Sequence, residues 1–217
     1  MCDVLGGMTT RLIRLVVGLA LYGAGEALIV RAGLGVDPWT VLAQGISLRT
    51  GWGIGWIVNL LGLAVMLAWI PLRQRPGVGT LANILLLGTS MQVVLDLVPD
   101  ADGIPAQVLT LLGGIVLVAF ATGLYISAGL GPGPRDGLMT GLHSRFGIPI
   151  WIARGSIELT VLGVGWLLGG SVGIGTVAFA LLIGPLVHRA LPLLARRPRV
   201  ARLSVSADGT PATASRA

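Results

Sequence analysis

Apolar residues fall into six long runs, at about 12–31, 52–71, 79–97, 105–127, 149–168 and 175–194, separated by short polar or glycine-rich turns. Each is long enough, as a helix, to cross a hydrocarbon layer about 30 Å thick, which takes about 20 residues. Two other apolar stretches, 38–49 and 134–146, are too short. A helix of about 12 residues reaches only about 18 Å. Each short stretch follows a Gly/Pro-rich string, so the order helix, breaker, half-helix, helix, helix occurs twice.

The two copies share one offset. Ala32-Gly33-Leu34-Gly35-Val36-Asp37-Pro38-Trp39 returns 96 residues later as Ala128-Gly129-Leu130-Gly131-Pro132-Gly133-Pro134-Arg135. The same offset pairs Gly18 with Gly114, Gly45 with Gly141, Arg49 with Arg145, Gly51 with Gly147 and Gly88 with Gly184. It also pairs Gly77-Val78-Gly79-Thr80 with Gly173-Ile174-Gly175-Thr176. A constant offset over nearly the whole chain marks an internal repeat.

Arginine placement decides the number of crossings, because cytoplasmic loops hold an excess of basic residues. With Arg11 and Arg14 inside and only the long runs crossing, Arg73, Arg75, Arg135, Arg145 and the arginines from Arg189 to Arg202 also fall inside. The turn with Asp96, Asp100 and Asp102 falls outside, and only Arg31 and Arg49 lie on the wrong side. If the short stretches also crossed, Arg73 and Arg75 would be external and the acidic turn internal. Six spans are therefore predicted, three per half. An odd number turns the second half upside down, the inverted repeat of secondary transporters, in which paired interrupted segments mark the site.

The expected fold is an all-α polytopic membrane protein: six transmembrane helices plus two short broken, re-entrant half-helices, arranged as two inverted three-span repeats. The expected layout is an N-terminal segment 1–10, a first repeat 11–98 with half-helix 38–49, and an external acidic turn 99–104. A second repeat 105–194 with half-helix 134–146 follows, then a disordered basic cytoplasmic tail 195–217 suited to touching anionic lipid. Met8 is an alternative start to Met1. The run from Leu12 to Val30 exceeds a signal-peptide core of about 7–15 residues and no A-x-A site follows, so it reads as a retained span.

Composition agrees. The 217 residues are 54% hydrophobic and 11% charged, with mean hydropathy +0.88. A soluble domain carries about 25% charged residues. The net charge of +6 comes from 15 arginines and no lysine, placed mostly between apolar runs or in the tail, where they act as topology signals and not as a nucleic-acid surface. The lone Cys2 rules out an intramolecular disulfide and any Cys-based metal site. No cofactor is expected.

Candidate chemistry centres on the strings. Asp37-Pro38 and Gly133-Pro134 have the form of helix starts, an N-cap followed by proline at the first helical position. Asp37 reads as a cap; in addition, unpaired amides at both starts could face a shared cavity and bind a polar or anionic group. Gly33, Gly35, Gly129 and Gly131 permit tight backbone turns, which hydrocarbon tolerates only where chain is buried in protein or lines a cavity. Arg135-Asp136 replace Trp39-Thr40, either fixing solute orientation or marking the cytoplasmic interface, and Trp39 is a candidate gate.

Charges inside spans default to functional candidates. Glu26, whose repeat mate is Thr122, is either a coupling-ion or proton site or a partner of Arg31 or of another span. Arg154 and Glu158, four apart on one helix face, form either a structural ion pair or a solute contact. Asn59 lies at mid-depth, and Gln92 and His188 are mates that a symmetric site would face inward as relay groups. The tryptophans, including Trp52, Trp56, Trp69, Trp151 and Trp166, fall near span ends as an aromatic belt. HExxH, GxSxG and a Walker lysine are missing, so no catalytic residues are assigned and no enzyme is expected.

With the paired Gly-Leu-Gly strings, the Gly-Val-Gly-Thr and Gly-Ile-Gly-Thr pair and the six-span size, the chain resembles the YczE-type (YczE/YyaS/YitT) integral membrane proteins over about residues 11–194. The motif that carries the resemblance is Ala32-Gly33-Leu34-Gly35-Val36-Asp37-Pro38-Trp39, with the second string a looser copy. The resemblance implies a multi-pass protein of the bacterial plasma membrane with a poorly defined activity.

The expected function is that of a small secondary transporter or facilitator for a small polar solute, anions included, with both termini cytoplasmic. Its partners are the lipid bilayer and the solute, not nucleic acid; a homo-oligomer or membrane-protein partner stays open. Two rival readings are a non-transporting partner that assists assembly or export by another complex, and the substrate-binding subunit of an ATP-driven importer.

Overall fold

A computed structural model describes residues 2–194, and the expected tail 195–217 lies outside them. Eight helices follow in order: α1 (Cys2–Ala32), α2 (Pro38–Thr50), α3 (Ile54–Leu72), α4 (Val78–Leu97), α5 (Ile104–Ser127), α6 (Pro134–Phe146), α7 (Ile150–Leu167) and α8 (Ile174–Leu194). Six of them, all but α2 and α6, are long and apolar enough to cross a membrane. Those six match the predicted runs within a residue or two at most ends. The exception is α1, which begins at Cys2, upstream of the apolar run, with no break at residue 10.

The short helices are 13 residues each, bounded by the residues that the sequence supplies for the purpose. Both have proline in the first turn and end on a left-handed glycine, Gly51 or Gly147. In α2 the Asp37 carboxylate accepts from the Trp39 amide at 3.1 Å, which satisfies one of the free donors of a helix start. In α6 the corresponding Gly133 supplies no side-chain cap.

α1 and α5 form the central pair and run antiparallel. Near one end Arg11 donates to Ala128 O at 2.7 Å and Gly129 O at 2.6 Å; near the other, Ala101 N donates to Arg31 O at 2.9 Å. Small residues let the two backbones approach: a Cβ on Gly18 would lie 2.8 Å from Tyr125 N, and one on Gly25 3.0 Å from Gly114 O. In lipid such close helix contact replaces the hydrophobic drive that water provides to soluble cores.

The other contacts come in matched sets. α1 packs on α4 and α5 on α8; α2 packs on α7 and α6 on α3; α2 meets α3 and α6 meets α7. Each half therefore supplies one short helix to the flank of the other. The strings cross over in the same way. Gly175 N donates to Leu34 O at 2.7 Å, and its mate Gly79 N donates to Leu130 O at 2.8 Å. Thr80 Oγ1 accepts from Gly77 N at 3.2 Å and donates to Pro132 O at 2.8 Å, while Thr176 Oγ1 accepts from Gly173 N at 3.2 Å. The two strings thus sit at opposite ends of the α1–α5 pair, each pinned by the Gly-x-Gly-Thr start of a long helix from the other half.

Of the tryptophans read as an aromatic belt, Trp52, Trp56, Trp151 and Trp166 are exposed, whereas Trp39 is buried and so is Trp69. That ring is buried against Gly137 of α6, and its indole N–H donates to Pro134 O at 3.1 Å. A buried indole needs such an acceptor.

Candidate functional site

The starts of the two short helices meet inside the bundle. Arg135 Nη1 lies 3.4 Å from Asp37 Oδ1, and its guanidinium stands 5.0 Å from the centre of the Trp39 ring. The Asp37 side chain is only 3% exposed and that of Arg135 27% exposed, so the pair sits at a boundary between protein and open space. That space is a cavity of about 590 Å³.

Its wall is built from five elements besides α2. Tyr22 comes from α1, Thr122 and Tyr125 from α5, Asp136 and Met139 from α6, Arg154 and Glu158 from α7, and Phe179 and His188 from α8. Tyr125 donates its hydroxyl to Asp136 Oδ2 at 3.3 Å and meets Tyr22 edge-on with ring centres 6.2 Å apart. Arg154 Nε lies 3.0 Å from Glu158 Oε1, the pair that their spacing allows. Polar groups of both signs and several aromatic faces thus line one chamber, the pattern of a site for a small polar molecule.

The structure brings together Asp37, Trp39, Arg135, Asp136, Arg154, Glu158 and His188 of the residues singled out by sequence. The remaining ones lie elsewhere. Gly33, Gly35, Gly129 and Gly131 form the pinned strings, all at positive φ. Asn59 donates to Thr89 Oγ1 at 3.0 Å between α3 and α4. Gln92 accepts from Gly55 N at 3.0 Å and donates to Asp96 at 2.8 Å, so it ties α3 to α4, unlike its mate His188.

Glu26 is buried one layer behind the wall. Its Oε2 accepts from Thr40 Oγ1 at 3.5 Å, while Asp37 and Arg135 are the charged groups beside it. Glu26 Oε1 and Asp37 Oδ2 are buried without a donor. Arg31, the alternative partner for Glu26, bonds instead to Asp100 at 2.7 Å and to Leu95 O. Tyr125 and Phe179 have no sequence signal as site residues, because an aromatic side chain within a span reads as packing. Thr122 was noted only as the mate of Glu26.

Six membrane-length helices around a buried polar junction define a multi-pass helical membrane protein. The chain belongs to the DUF6198 family, described as a family of unknown function, whose model matches residues 9–191. It is similar to an uncharacterized protein of Haemophilus influenzae, 44% identical over 86% of this chain and 85% of that one. It is also similar to the uncharacterized membrane protein YczE of Bacillus subtilis, 31% identical over 81% and 82%, and to YyaS of the same organism, 23% identical over 83% and 92%. The resemblance read from Gly33–Trp39 is thus a family membership. No solved structure matches the chain.

Proposed function

We propose that this is a small secondary transporter or facilitator of the bacterial plasma membrane, moving a small polar solute, anions included, between two inverted repeats whose short helices are re-entrant. The observation that carries the reading is the Asp37–Arg135 junction. Two broken strings from opposite ends of the central helix pair deliver their helix starts to one point on the wall of a cavity of about 590 Å³. Helix starts facing a buried polar site between repeats are the feature by which transporters of this architecture hold a charged solute.

The arginine pattern supports cytoplasmic termini. Arg11, Arg14, Arg73 and Arg75 lie toward one end, while Asp96, Asp100 and Asp102 lie toward the other. Of the two misplaced arginines, Arg31 is paired with Asp100 at 2.7 Å and Arg49 donates to Leu168 O at 3.3 Å, so neither is a free topology signal. Glu26 and Asp37, two buried carboxyls of which Asp37 pairs with Arg135, are the coupling groups in this reading.

The test is flux. Purified protein in liposomes is assayed for uptake and efflux against a panel of small metabolites, and a folded protein that moves none of them defeats the proposal.

A further inference from the structure

The cavity has a twin. A recess of only about 20 Å³ lies on the other side of the Trp39–Arg135 contact, lined in part by Val58, Gly62, Ile84 and Leu87. Adding the repeat offset of 96 to these positions gives Arg154, Glu158, Ala180 and Ile183, all on the wall of the large cavity. Trp39 and Arg135, themselves mates, line both. The two spaces are therefore equivalent sites of the repeat, one open and one shut.

The difference lies in how the third and fourth helices of each half meet. α3 is packed on α4, with Gly88 closed against Asn59 and Gly55 and with Met91 fully buried. Among the described residues α7 has no comparable contact with α8. Gly155 and Gly184, the mates of Asn59 and Gly88, have nothing within 4 Å of where a Cβ would lie. Ile84 is buried and Ala180 is exposed. Gly184 repeats Gly88, and Gly155 is smaller than its mate Asn59, so α7 has room to approach α8 at these two positions. Trp151 in place of Gly55, where a Cβ would stand 2.2 Å from Gly88 O, keeps the start of α7 further from α8 than α3 stands from α4.

Resting on the transport reading, we propose that the structure is one of two alternating states, and that in the other α7 closes on α8 while α3 leaves α4. The small recess then becomes the access chamber at the Asp100 end, and the large cavity, lined by the Arg11-end parts of α5, α7 and α8, disappears. The chambers differ in chemistry. Where the large one carries Arg154 and Glu158, the small one carries Val58 and Gly62 beside Asn83, so a charged solute is held by two charged groups at the Arg11 end that it does not meet at the Asp100 end.

The test is a lock. In a Cys2→Ser background, Gly155→Cys and Gly184→Cys are combined with Ile84→Cys, in membranes. Both glycines have room for the new side chain. Oxidation is expected to join 155 to 184 within one chain. It should stop flux until the bond is reduced, and raise the rate at which an impermeant maleimide reaches 84 from the Asp100 end at least tenfold. Failure to cross-link while the reduced protein transports overturns the alternation and leaves transport standing. So does a cross-link without exposure of residue 84, or one between two chains, which would make the cavity an interface between copies. Absence of flux in the reduced triple variant and in the Cys2→Ser parent alike overturns the transport reading instead.

Discussion

Arg135 Nη1 lies 3.4 Å from Asp37 Oδ1, on elements that the chain separates by almost a hundred residues, and the contact joins the starts of the two short helices. It works together with the Trp39 ring, 5.0 Å from the guanidinium. One side chain of the second half thus fixes both the N-cap and the first turn of the short helix of the first half. The repeat is unequal at this point, since Asp37 has Gly133 as its mate and Arg135 has Trp39. The inequality makes the junction an ion pair and not a meeting of like groups.

Arg135→Ala removes the cation from a carboxylate that is only 3% exposed. Breaking a buried pair costs about 3–5 kcal/mol. Arg135 retains 27% exposure, so the expected loss is toward the lower end of that range. Asp37→Asn keeps an oxygen for the Trp39 amide and costs less. The double variant should lose clearly less than the two single losses added together, and thermal unfolding in detergent measures the coupling. Additive losses would mean that the contact contributes nothing.

Gly35→Ala is expected to be worse than the matching Gly131→Ala. Both residues have positive φ, +103° and +123°, which costs an L-residue about 1–2 kcal/mol. Only at Gly35 would the added Cβ also collide with backbone, 2.5 Å from Gly173 N, whereas at Gly131 the nearest atom, Gly77 Cα, is 3.2 Å away. The yield of folded protein and its melting temperature rank the two.

Much of this architecture was legible. The periodic apolar runs gave the six long helices, because a helix in lipid must satisfy its own backbone and needs length above all. Asp37-Pro38 and Gly133-Pro134 marked the short helix starts to the residue. The exchange of strings between halves was not legible. Gly77–Thr80 and Gly173–Thr176 stood out as a repeat, yet nothing in their spacing says that each caps the string of the other half. Gln92 and His188 misled for a related reason: equal positions in a repeat share a fold location, but α3 covers Gln92 while α7 leaves His188 on the cavity wall.

Thr80→Val and Thr176→Val separate the two string locks. Thr80 is fully buried and its hydroxyl joins Gly77 N to Pro132 O, whereas the Thr176 hydroxyl accepts from Gly173 N. Leaving buried partners unsatisfied costs about 1–3 kcal/mol, so Thr80→Val should destabilise at the upper end of that range and Thr176→Val at the lower. Denaturant midpoints of the two variants decide it.

Arg154 and Glu158 distinguish a structural role from a solute contact. Their side chains are 58% and 34% exposed, and exposed pairs of this spacing contribute about 0.3–0.5 kcal/mol. Arg154→Gln and Glu158→Gln should therefore leave the melting temperature almost unchanged. If the cavity holds the solute, the same variants raise the apparent KM of transport at least about tenfold, since a contact to a charged group contributes about 1.5–3 kcal/mol. An unchanged KM removes both residues from the site.

Glu26 supplies the strictest test of coupling. The carboxyl is 2% exposed, and its Oε1 and the Asp37 Oδ2 atom both lack a donor. With both groups ionised, a single guanidinium leaves a surplus negative charge in a medium of low dielectric, where an unpaired ion is costly. A proton or small cation held between the two carboxyls removes the surplus and gives the orphaned oxygens a partner. Glu26→Gln imitates the loaded form, being neutral, of the same shape and able to donate. The variant should still exchange solute across liposomes with equal gradients on both sides, but should lose accumulation driven by an imposed pH or sodium gradient. Glu26→Asp, which keeps the acid, should retain part of that response. If Glu26→Gln follows the imposed gradient as the unaltered protein does, the residue only holds Thr40 and the start of α2 in place, and the coupling site lies elsewhere.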